Sequence, residues 1–412
     1  MRYLPLAKCP TLSGKRIALR VTPQAERAIR SGHPWLFDRA IQEESHVGFH
    51  GDLAVIFDRK RRFLAIGLYD PDSPLRVRIL HHGKPATIDS SWFRQRIEDA
   101  FIIRRHLPAT GTTGYRLIHG ENDGLPGLVV DRYNGTLVVK LYTASWAAHL
   151  ATILDELLAV QESECVVLRL SRAIQGVAES WCLSDGMLLV GAAVDGPVLF
   201  EENGLIFEAD PIKGQKTGFF LDQRDNRAEV AQMAAGKRVL NVFAYSGGFS
   251  LYAARGGAKE VTSLDISQHA LNGAERNFTY NLERGIISKV PHHLLKADAF
   301  QALSDLAHSK KSYEMVIIDP PALAKRQSEV ERALAAYMRL AKLGLDLLAP
   351  QGTIVLASCS SRVDADTFCE VMHRAARETG RPLNEIRRTE HPVDHPIGFK
   401  EGAYLKCLFA TA

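Results

Sequence analysis

Cys359 is the side chain in this sequence whose type and position most directly indicate covalent chemistry. It lies in Leu356-Ala-Ser-Cys-Ser-Ser361, where a predicted buried strand ends. A neighbouring predicted strand ends in Asp319-Pro-Pro, whose prolines hold a rigid, extended loop because each restricts its own φ and the residue before it. A thiolate is a strong nucleophile when its pKa is lowered. We predict that Cys359 and Asp319 are catalytic; the alternatives are a buried structural cysteine and a tight structural loop.

Three other predicted strand ends carry residues suited to a nucleoside-type cofactor. Asn241-Val-Phe-Ala-Tyr-Ser-Gly-Gly-Phe-Ser250 joins a strand to a helix through two glycines, which permit a tight turn and close backbone approach. Asp265 falls 18 residues after Gly247, about where an acidic group binds ribose hydroxyls. Asp298 follows a third strand, where it could accept from an adenine amine. The segment has no third glycine for a pyrophosphate, which disfavours nicotinamide. Each aspartate could instead be a helix N-cap.

A parallel sheet is needed to bring these strand ends together. From about residue 235, strands alternate with helices, which predicts a parallel sheet covered by helices on both faces. Ligands of such sheets bind outside the carboxyl ends of the strands. The predicted strands are Arg238–Val242, Glu260–Asp265, His292–Lys296, Met315–Asp319 and Gly352–Ala357. The sequence predicts an α/β fold here and leaves the strand order open.

Residues 236–357 resemble a class I S-adenosylmethionine-dependent methyltransferase with a Rossmann-like fold. The resemblance implies S-adenosylmethionine as cofactor, with Gly247 and Gly248 beside its methionine part, Asp265 on its ribose and Asp298 near its adenine. Further cofactor-binding residues implied by the resemblance are Asn241, Phe243, Ser246, Ile266, Asp319 and Gln223. The loop after Asp319 is implied to hold the target base, with the substrate-binding residues Pro320, Pro321 and Lys325.

The Ser-Cys-Ser sequence around Cys359 resembles the catalytic cysteine motif of RNA 5-methylcytosine methyltransferases. In that chemistry a thiolate adds to carbon 6 of cytosine, and the resulting enamine attacks the methyl sulfonium through carbon 5. A base then removes the proton on carbon 5 and the thiolate leaves. Many relatives carry another cysteine after the Asp-Pro-Pro prolines, where this chain has Ala322. Cys359 is therefore the sole candidate nucleophile.

Motifs outside the sheet extend the resemblance over nearly the whole chain. Lys216-Thr-Gly-Phe-Phe-Leu-Asp-Gln-Arg-Asp-Asn-Arg227 resembles the signature of the RlmI-type family, which methylates cytosine in large-subunit (23S) ribosomal RNA. Ser31–Phe37 resembles the N-terminal PUA domain of that family, an RNA-binding fold. Tyr115–Leu128 resembles its middle domain, and residues 391–406 resemble its C-terminus. The resemblance implies ribosomal RNA as the partner and 5-methylcytosine as the product.

Positive charge is concentrated at the start of the chain. Residues 1–90 hold 15 Lys and Arg against 9 Asp and Glu, whereas the remainder holds 36 against 38, for a total net charge of +4. We predict that one dense basic run in the first part binds RNA phosphates, namely Arg59, Lys60, Arg61 and Arg62. The alternative is a solvated surface with chance clustering. The predicted domains are a β-rich PUA-like RNA-binding domain (15–90), a middle α+β domain (91–195) and a methyltransferase domain (196–412).

Composition excludes several other classes of protein. Apolar residues make up 46% and charged residues 24%, which is ordinary for a globular chain. No run of 18 apolar residues occurs, so we expect no membrane span. Six scattered cysteines without a CxxC pair predict a cytoplasmic protein without disulfides. His391 and His395 each precede a proline, so no helix can pair them, and we expect no metal site. A homodimer is left open.

Two other functions are left open by the sequence. Methylation of a ring nitrogen or exocyclic amine of an RNA base would use the base's own lone pair and needs no thiol. A non-catalytic RNA-binding assembly factor would retain the fold without using the cofactor. The Cys359→Ala substitution separates the first alternative from the covalent mechanism, and cofactor binding separates the second.

Overall fold

The chain forms two compact units in the computed structural model, which describes Tyr3, residues 6–192 and residues 195–412. The first unit comprises residues 1–203, 209–221 and 393–399. The second comprises residues 204–208, 222–392 and 400–412. The division into three domains at residues 90 and 195 stays a prediction.

A six-stranded sheet opens the first unit. Its strand order is β2-β6-β5-β4-β1-β3, in which only β1 and β4 pair in parallel. Ile17, Leu19 and Val21 alternate into its core. Thr22 caps the helix by accepting from the amide of Ala25 at 3.3 Å, and a proline follows it. The elements are β1 (Ile17–Val21), α1 (Pro23–Arg30), β2 (Trp35–Leu36), β3 (Ile41–Glu44), β4 (Leu53–Phe57), β5 (Phe63–Tyr69) and β6 (Val77–His82).

A five-stranded sheet with its own hydrophobic core follows in the first unit. Its order is β11-β10-β9-β8-β7, and this core contains the fully buried Trp146 with Phe93 and Leu154. The elements are α2 (Ser90–Arg104), β7 (Gly114–His119), β8 (Leu128–Tyr133), β9 (Thr136–Leu141), α3 (Leu150–Val160), β10 (Cys165–Leu170), α4 (Gln175–Glu179) and β11 (Leu188–Val190). Strands β12 (Val198–Glu202) and β13 (Leu205–Ala209) come next.

Helices and strands alternate in the second unit. Its helices are α5 (Arg224–Met233), α6 (Gly248–Arg255), α7 (Gln268–Glu283), α8 (Ala299–His308), α9 (Val330–Asp346) and α10 (Ala365–Glu378). Its large sheet contains β14 (Arg238–Val242), β15 (Glu260–Asp265), β16 (His292–Lys296), β17 (Tyr313–Ile318), β18 (Leu348–Ser358), β19 (Asn384–Thr389) and β20 (Lys406–Thr411). Short 3-10 helices span Asp38–Ala40, Leu107–Thr110, Gly120–Asp123, Ala144–His149, Leu221–Gln223, Gln327–Glu329 and Lys400–Gly402.

The seven strands lie in the order β16-β15-β14-β17-β18-β20-β19. The first five pair in parallel, and β20 runs antiparallel to β18 and β19. The predicted α/β, Rossmann-like fold is confirmed. The predicted strands agree closely, although β17 ends at Ile318, so Asp319 lies just beyond its strand.

The strand order places a topological switch point between β14 and β17. These strands are neighbours although β15 and β16 lie between them in the chain, so the connections leave them toward opposite edges of the sheet. Such a switch point opens a ligand-binding crevice at the carboxyl ends. Leu240, Val242 and Ile318 are buried there, as parallel strands covered on both faces require. The fold thus directs the loops after Val242 and Ile318 to one place.

Candidate active site

The loop between β14 and α6 holds an unusual backbone conformation. Phe243 and Tyr245 have φ angles of 61° and 49°, values that cost a residue with a side chain of the order of 1–3 kcal/mol and that cluster at functional sites. Gly247, with φ 76°, caps α6, and a Cβ there would lie 2.8 Å from the Cβ of Ala274. Only glycine satisfies both conditions. The loop therefore keeps a strained shape of the kind that clusters at functional sites.

Two buried polar atoms beside this loop have no hydrogen-bond partner among the residues that the structure describes. They are Asn241 Oδ1 and Ser246 Oγ. The side-chain nitrogen of Asn241, Nδ2, does have a hydrogen-bond partner, because it donates to Ser250 Oγ at 2.9 Å. A buried polar atom left unsatisfied costs about 1–3 kcal/mol. An amino-acid group such as the methionine part of S-adenosylmethionine carries the ammonium donors and carboxylate acceptors that would satisfy these atoms.

Asp265 is oriented by two backbone amides. Its Oδ2 accepts from the amide of Tyr245 and its Oδ1 from that of Ser267, both at 2.9 Å. Ser267, rather than Asp265, caps α7. A carboxylate can accept about four hydrogen bonds, so Asp265 retains capacity for ribose hydroxyls. The next residue, Ile266, is 69% exposed, which leaves an apolar surface beside the carboxylate.

Two other residues predicted to bind the cofactor accept hydrogen bonds from groups of the protein itself. Asp298 is exposed and caps α8, because its Oδ1 accepts from the amide of Gln301 at 3.1 Å. This is the N-cap role that the sequence left open as an alternative. Gln223 is buried, and its Oε1 accepts from the side-chain amide of Asn226 at 2.5 Å. Cofactor contacts at Asp298 and Gln223 stay predictions.

The structure brings Cys359 and the Asp319 loop together. Strands β17 and β18 are adjacent, so their carboxyl ends meet at one edge of the sheet. The half-buried Sγ of Cys359 lies 3.9 Å from the carbonyl oxygen of the buried Pro320. Asp319 is half-buried, and Pro321 and Lys325 are exposed on the same loop. A thiol, a carboxylate and a proline-rigidified loop therefore share one edge of the crevice.

The serines that flank Cys359 fasten its strand end to that loop. Ser360 Oγ accepts from the amides of Leu323 and Ala324 at 3.0 and 3.3 Å. The hydroxyl of Tyr337, on α9, lies 2.8 Å from Ser358 Oγ and 2.9 Å from Ser360 Oγ. The Ser-Cys-Ser sequence pointed to the thiol, whereas Tyr337 joins the network only through tertiary packing.

Lys406 also lies next to the strand end that carries Cys359, because it pairs with Ser358 across β18 and β20. The sequence motifs did not predict this residue as part of the site. It is 4% exposed, and its Nζ donates to the carbonyl oxygens of Ser360 and Val363 at 2.5 Å and of Tyr404 at 3.0 Å. Burial lowers the pKa of Lys406 to about 8, although the charge of Cys359 partly opposes the shift. The available signal was a lysine in an otherwise apolar strand, Leu405-Lys-Cys-Leu-Phe-Ala410.

The four cations of the basic run, which lies in the turn between β4 and β5, differ in whether a protein carboxylate already binds them. The buried Oδ1 of Asp58 accepts from the amides of Lys60 and Arg62 at 2.8 and 2.9 Å. Its Oδ2 accepts from the guanidinium of Arg62 at 2.8 Å and from that of Arg30 at 3.0 Å. Hydrogen bonds, led by the backbone amide of Arg62, lower the pKa of Asp58 to about 2. Arg62 is thus part of the turn itself.

The other three cations of the run also differ in whether a carboxylate lies close to them. Arg59 lies 3.6 Å from Glu26. Lys60 and Arg61 are exposed and form no ion pair with any residue in the described part of the chain. These two are the cations that a polyanion can neutralise without displacing a protein carboxylate.

A surface pocket of about 690 Å³ lies beside α1 and β2 in the first unit. Its lining includes Arg27, His33, Trp35, Phe37 and Arg39. Phe37 is 38% exposed, and the guanidinium of Arg39 lies 5.9 Å from its ring centroid. Aromatic faces combined with guanidinium groups suit stacked nucleobases. The sequence marked Ser31–Phe37 by resemblance alone; the pocket is visible only in the structure.

A switch-point crevice, a strained glycine loop and an oriented carboxylate at the next strand define a class I methyltransferase. Residues 115–410 match the family Methyltrans_SAM, S-adenosylmethionine-dependent methyltransferase, and residues 19–82 match the PUA-like domain family PUA_3. The chain belongs to this family of S-adenosylmethionine-dependent methyltransferases, and its cofactor is S-adenosylmethionine.

Similar proteins extend over nearly the full chain. The chain is 49% identical over 405 residues to "Ribosomal RNA large subunit methyltransferase" of Deinococcus radiodurans, covering 97% of this chain and 98% of that protein. It is 36% identical over 399 residues to "Ribosomal RNA large subunit methyltransferase I" of Shewanella denitrificans, covering 96% and 99%. A solved SAM-dependent methyltransferase structure from Streptococcus mutans, 22% identical, covers 96% of this chain and 100% of that chain with a TM-score of 0.81, which supports the fold.

Among the residues that the structure describes, no helix has the length and apolar character needed to cross a membrane. Within the same residues, no group of three or more His, Cys, Asp or Glu side chains is arranged to hold a metal ion.

Proposed function

We propose that this protein methylates carbon 5 of a cytosine in large-subunit ribosomal RNA, with Cys359 as the covalent nucleophile. The observation that carries the proposal is the position of its Sγ, 3.9 Å from the Pro320 carbonyl at the carboxyl edge of the methyltransferase sheet. The relatives named ribosomal RNA large subunit methyltransferase support the choice of RNA. We also propose a reducing cytoplasmic location, which the six free cysteines support.

The residues of the crevice suit S-adenosylmethionine. When bound, this cofactor supplies an electrophilic methyl group. Asn241 Oδ1 and Ser246 Oγ would bind its amino-acid part, since both are buried and lack partners among the described residues. Asp265 would accept from its ribose hydroxyls, and the exposed Ile266 would cover its adenine. The remaining proposed cofactor residues are Phe243, Gly247, Gly248, Asp298, Asp319 and Gln223.

The thiol activates the base by addition and elimination. The thiolate sulfur of Cys359 would bond to carbon 6, and the π electron pair of the carbon 5–carbon 6 bond would become available at carbon 5 to take up the methyl group. The bond from the methyl group to the sulfonium would break, with its electron pair left on that sulfur. A base then takes the proton of carbon 5, the double bond re-forms, and the thiolate leaves with the sulfur–carbon electron pair. Asp319 would orient the ring by accepting from the cytosine amine, a pairing that carboxylates make. Pro320, Pro321 and Lys325 would line the base pocket.

RNA contacts on the first unit are proposed at two places. Lys60 and Arg61 would neutralise phosphates, because neither has an ion pair among the described residues. Arg59 and Arg62 would contribute less, since Glu26 and Asp58 already hold them. The pocket beside Trp35 would take unpaired bases by stacking.

The Cys359→Ala and Cys359→Ser variants test the covalent step. We expect each to lower methyl transfer to ribosomal RNA by at least about a thousandfold, because carbon 5 is not nucleophilic without the adduct. Tritium release from RNA carrying 5-tritiated cytosine measures the reaction, and mass-spectrometric mapping of ribosomal RNA from a deletion strain identifies the nucleotide. The buried Cys369→Ala is the matched control.

Other results would favour the other two functions. Near-normal methylation by Cys359→Ala would contradict the thiol mechanism and favour methylation of a ring nitrogen or exocyclic amine. If calorimetry showed no binding of S-adenosylmethionine by the wild-type chain, a non-catalytic assembly role would replace methylation.

A further inference from the structure

Lys406 is a buried cation that the proposed reaction does not use. Its ammonium nitrogen donates to three backbone carbonyls, those of Ser360, Val363 and Tyr404. An ammonium group has three N–H donors, whereas a neutral amine has two. The three acceptors therefore match the charged form, and deprotonation would leave one buried carbonyl without its donor.

Within the described part of the chain, the ammonium group of Lys406 forms no ion pair with a carboxylate. The charged and titratable groups around it come from several elements. Cys359 follows β18, and the exposed Asp364 caps α10; the negative charge of each raises the pKa of Lys406. Burial raises the pKa of Tyr337 on α9 and of Cys407 next to Lys406, and the negative charges of Cys359 and of Asp319, respectively, add to these two shifts. A buried charge is costly unless it is paired, and the Cys359 thiolate would be such a partner.

We propose that Lys406 is a positioning residue that holds the chain segment after Cys359 and stabilises the Cys359 thiolate. The inference rests on the proposed function, in which that thiolate is the nucleophile. Two of the three carbonyls held by Lys406 belong to the segment that begins directly after Cys359. The same cation therefore fixes the position of the thiol and supplies a positive charge near it.

The electrostatic part of the proposal is reciprocal. A thiolate that favours the charged lysine is itself favoured by that lysine to the same extent, because both effects are one interaction. Removing the lysine charge should therefore raise the thiol pKa. A merely structural lysine would alter stability and leave the thiol titration in place.

Alkylation of Cys359 by iodoacetamide, followed by peptide mass spectrometry from about pH 6 to about pH 10, measures this titration in the full chain. We expect Lys406→Met to raise the midpoint by about one pH unit or more, and Lys406→Arg to restore much of the shift. Tyr337→Phe is the control, because it removes hydrogen bonds to Ser358 and Ser360 without removing a charge. An unchanged midpoint in Lys406→Met, or an equal rise in Tyr337→Phe, overturns the proposal.

A second measurement applies even if Lys406→Met does not fold. A thiol pKa that is lowered in the folded chain stabilises the fold above its unfolded value, and this contribution is lost as the pH falls through the folded value. The wild-type chain should therefore gain melting temperature over Cys359→Ala as the pH rises from about 6 to about 9. A difference that does not change with pH overturns the electrostatic role.

The two proposals fail in different ways. If Cys359→Ala keeps methylating RNA, the covalent function fails while the Lys406 titration can still be present. If Cys359→Ala is inactive and Lys406→Met leaves the thiol titration unchanged, the function stands and only the role of Lys406 is refuted.

Discussion

Two aspartates, one in each unit, accept the same kind of backbone hydrogen bonds but differ in their remaining partners. Asp265 is the last residue of β15 in the second unit, and Asp58 directly follows β4 in the first. Each carboxylate accepts two backbone amide hydrogens. Asp58 then also takes the guanidinium groups of Arg62 and Arg30, whereas Asp265 takes no ion pair within the described residues. One carboxylate is saturated by its own turn, and the other retains capacity for a ligand.

This difference separates an acidic residue whose hydrogen bonds are used within its own turn from one that can still accept hydrogen bonds from a ligand. Both aspartates lie at the carboxyl end of a strand, so their places in the local sequence pattern are alike. What differs is the hydrogen-bonding capacity left after folding. The same criterion divides the basic run, in which Arg62 is bound by its turn while Lys60 and Arg61 form no ion pair among the described residues.

Among the variants that test this comparison, Asp265→Asn should have the largest effect. We expect S-adenosylmethionine to bind about 10–100-fold more weakly, because hydrogen bonds to a charged group contribute about 1.5–3 kcal/mol. Isothermal titration calorimetry measures the affinity. Asp58→Asn is the matched control, and we expect it to leave the affinity unchanged. Asp298→Asn should fall between the two because that side chain also caps α8. Equal losses at Asp265 and Asp58 would refute the distinction.

Ser360→Ala tests whether the strand end beside Cys359 depends on side-chain hydrogen bonds. The change leaves the amides of Leu323 and Ala324 without their acceptor, which should lower the free energy of unfolding by about 1–3 kcal/mol. Chemical denaturation measures the loss, and the rate of methyl transfer should fall with it. The exposed Ser361→Ala is the neighbouring control and should be nearly neutral. Equal stability of both variants would contradict this role of Ser360.

The double reversal Lys60→Glu with Arg61→Glu sharpens the contrast between bound and unpaired cations. We expect RNA affinity to fall by about tenfold at low salt and the salt dependence to become shallower, because fewer counterions are released. Lys310→Glu with Lys311→Glu, in the exposed turn after α8, makes the same charge change and should have little effect. Filter binding at several salt concentrations measures both. Equal effects would indicate a general charge effect rather than a binding surface.

Acid titration of Asp58 should give the smallest effect. The pKa of Asp58 is lowered to about 2, so its contribution to stability is present above its unfolded pKa of about 3.9 and is lost as the pH falls through about 2. The stability difference between the wild type and Asp58→Asn should therefore be constant at neutral pH and shrink below about pH 4. Thermal melts across that range measure it. A difference that grew on acidification would have the wrong sign for a saturated carboxylate.

Much of the fold follows from local sequence patterns. The alternation of strand and helix patterns marked β14, β15 and β16 with the bounds that the structure shows. The Gly247-Gly248 pair marked the loop between β14 and α6, because only glycine readily adopts the positive φ found at Gly247. Strand order could not be read, since a strand pattern records burial and not the identity of its neighbour.

The candidate site was partly readable from sequence for the same reason. Strand ends fall at known sequence positions, so Asp265, Asp319 and Cys359 could be named before their surroundings were known. Whether a polar side chain is used up by its own loop depends on groups far away in the chain, as Arg30 shows for Asp58. Lys406 lies 47 residues after Cys359 and contacts its strand end only because β20 pairs with β18.

The amino-acid sequence is enough to predict the alternation of strands and helices, the side-chain chemistry at each strand end and the concentration of positive charge in residues 1–90. These depend on local periodicity and composition. Only folding establishes which strand ends meet, which carboxylates and cations remain available, and that a buried lysine binds the chain segment directly after the thiol. The physical reason is that hydrogen bonds and charges are satisfied by neighbours in space, and long-range strand pairing selects those neighbours.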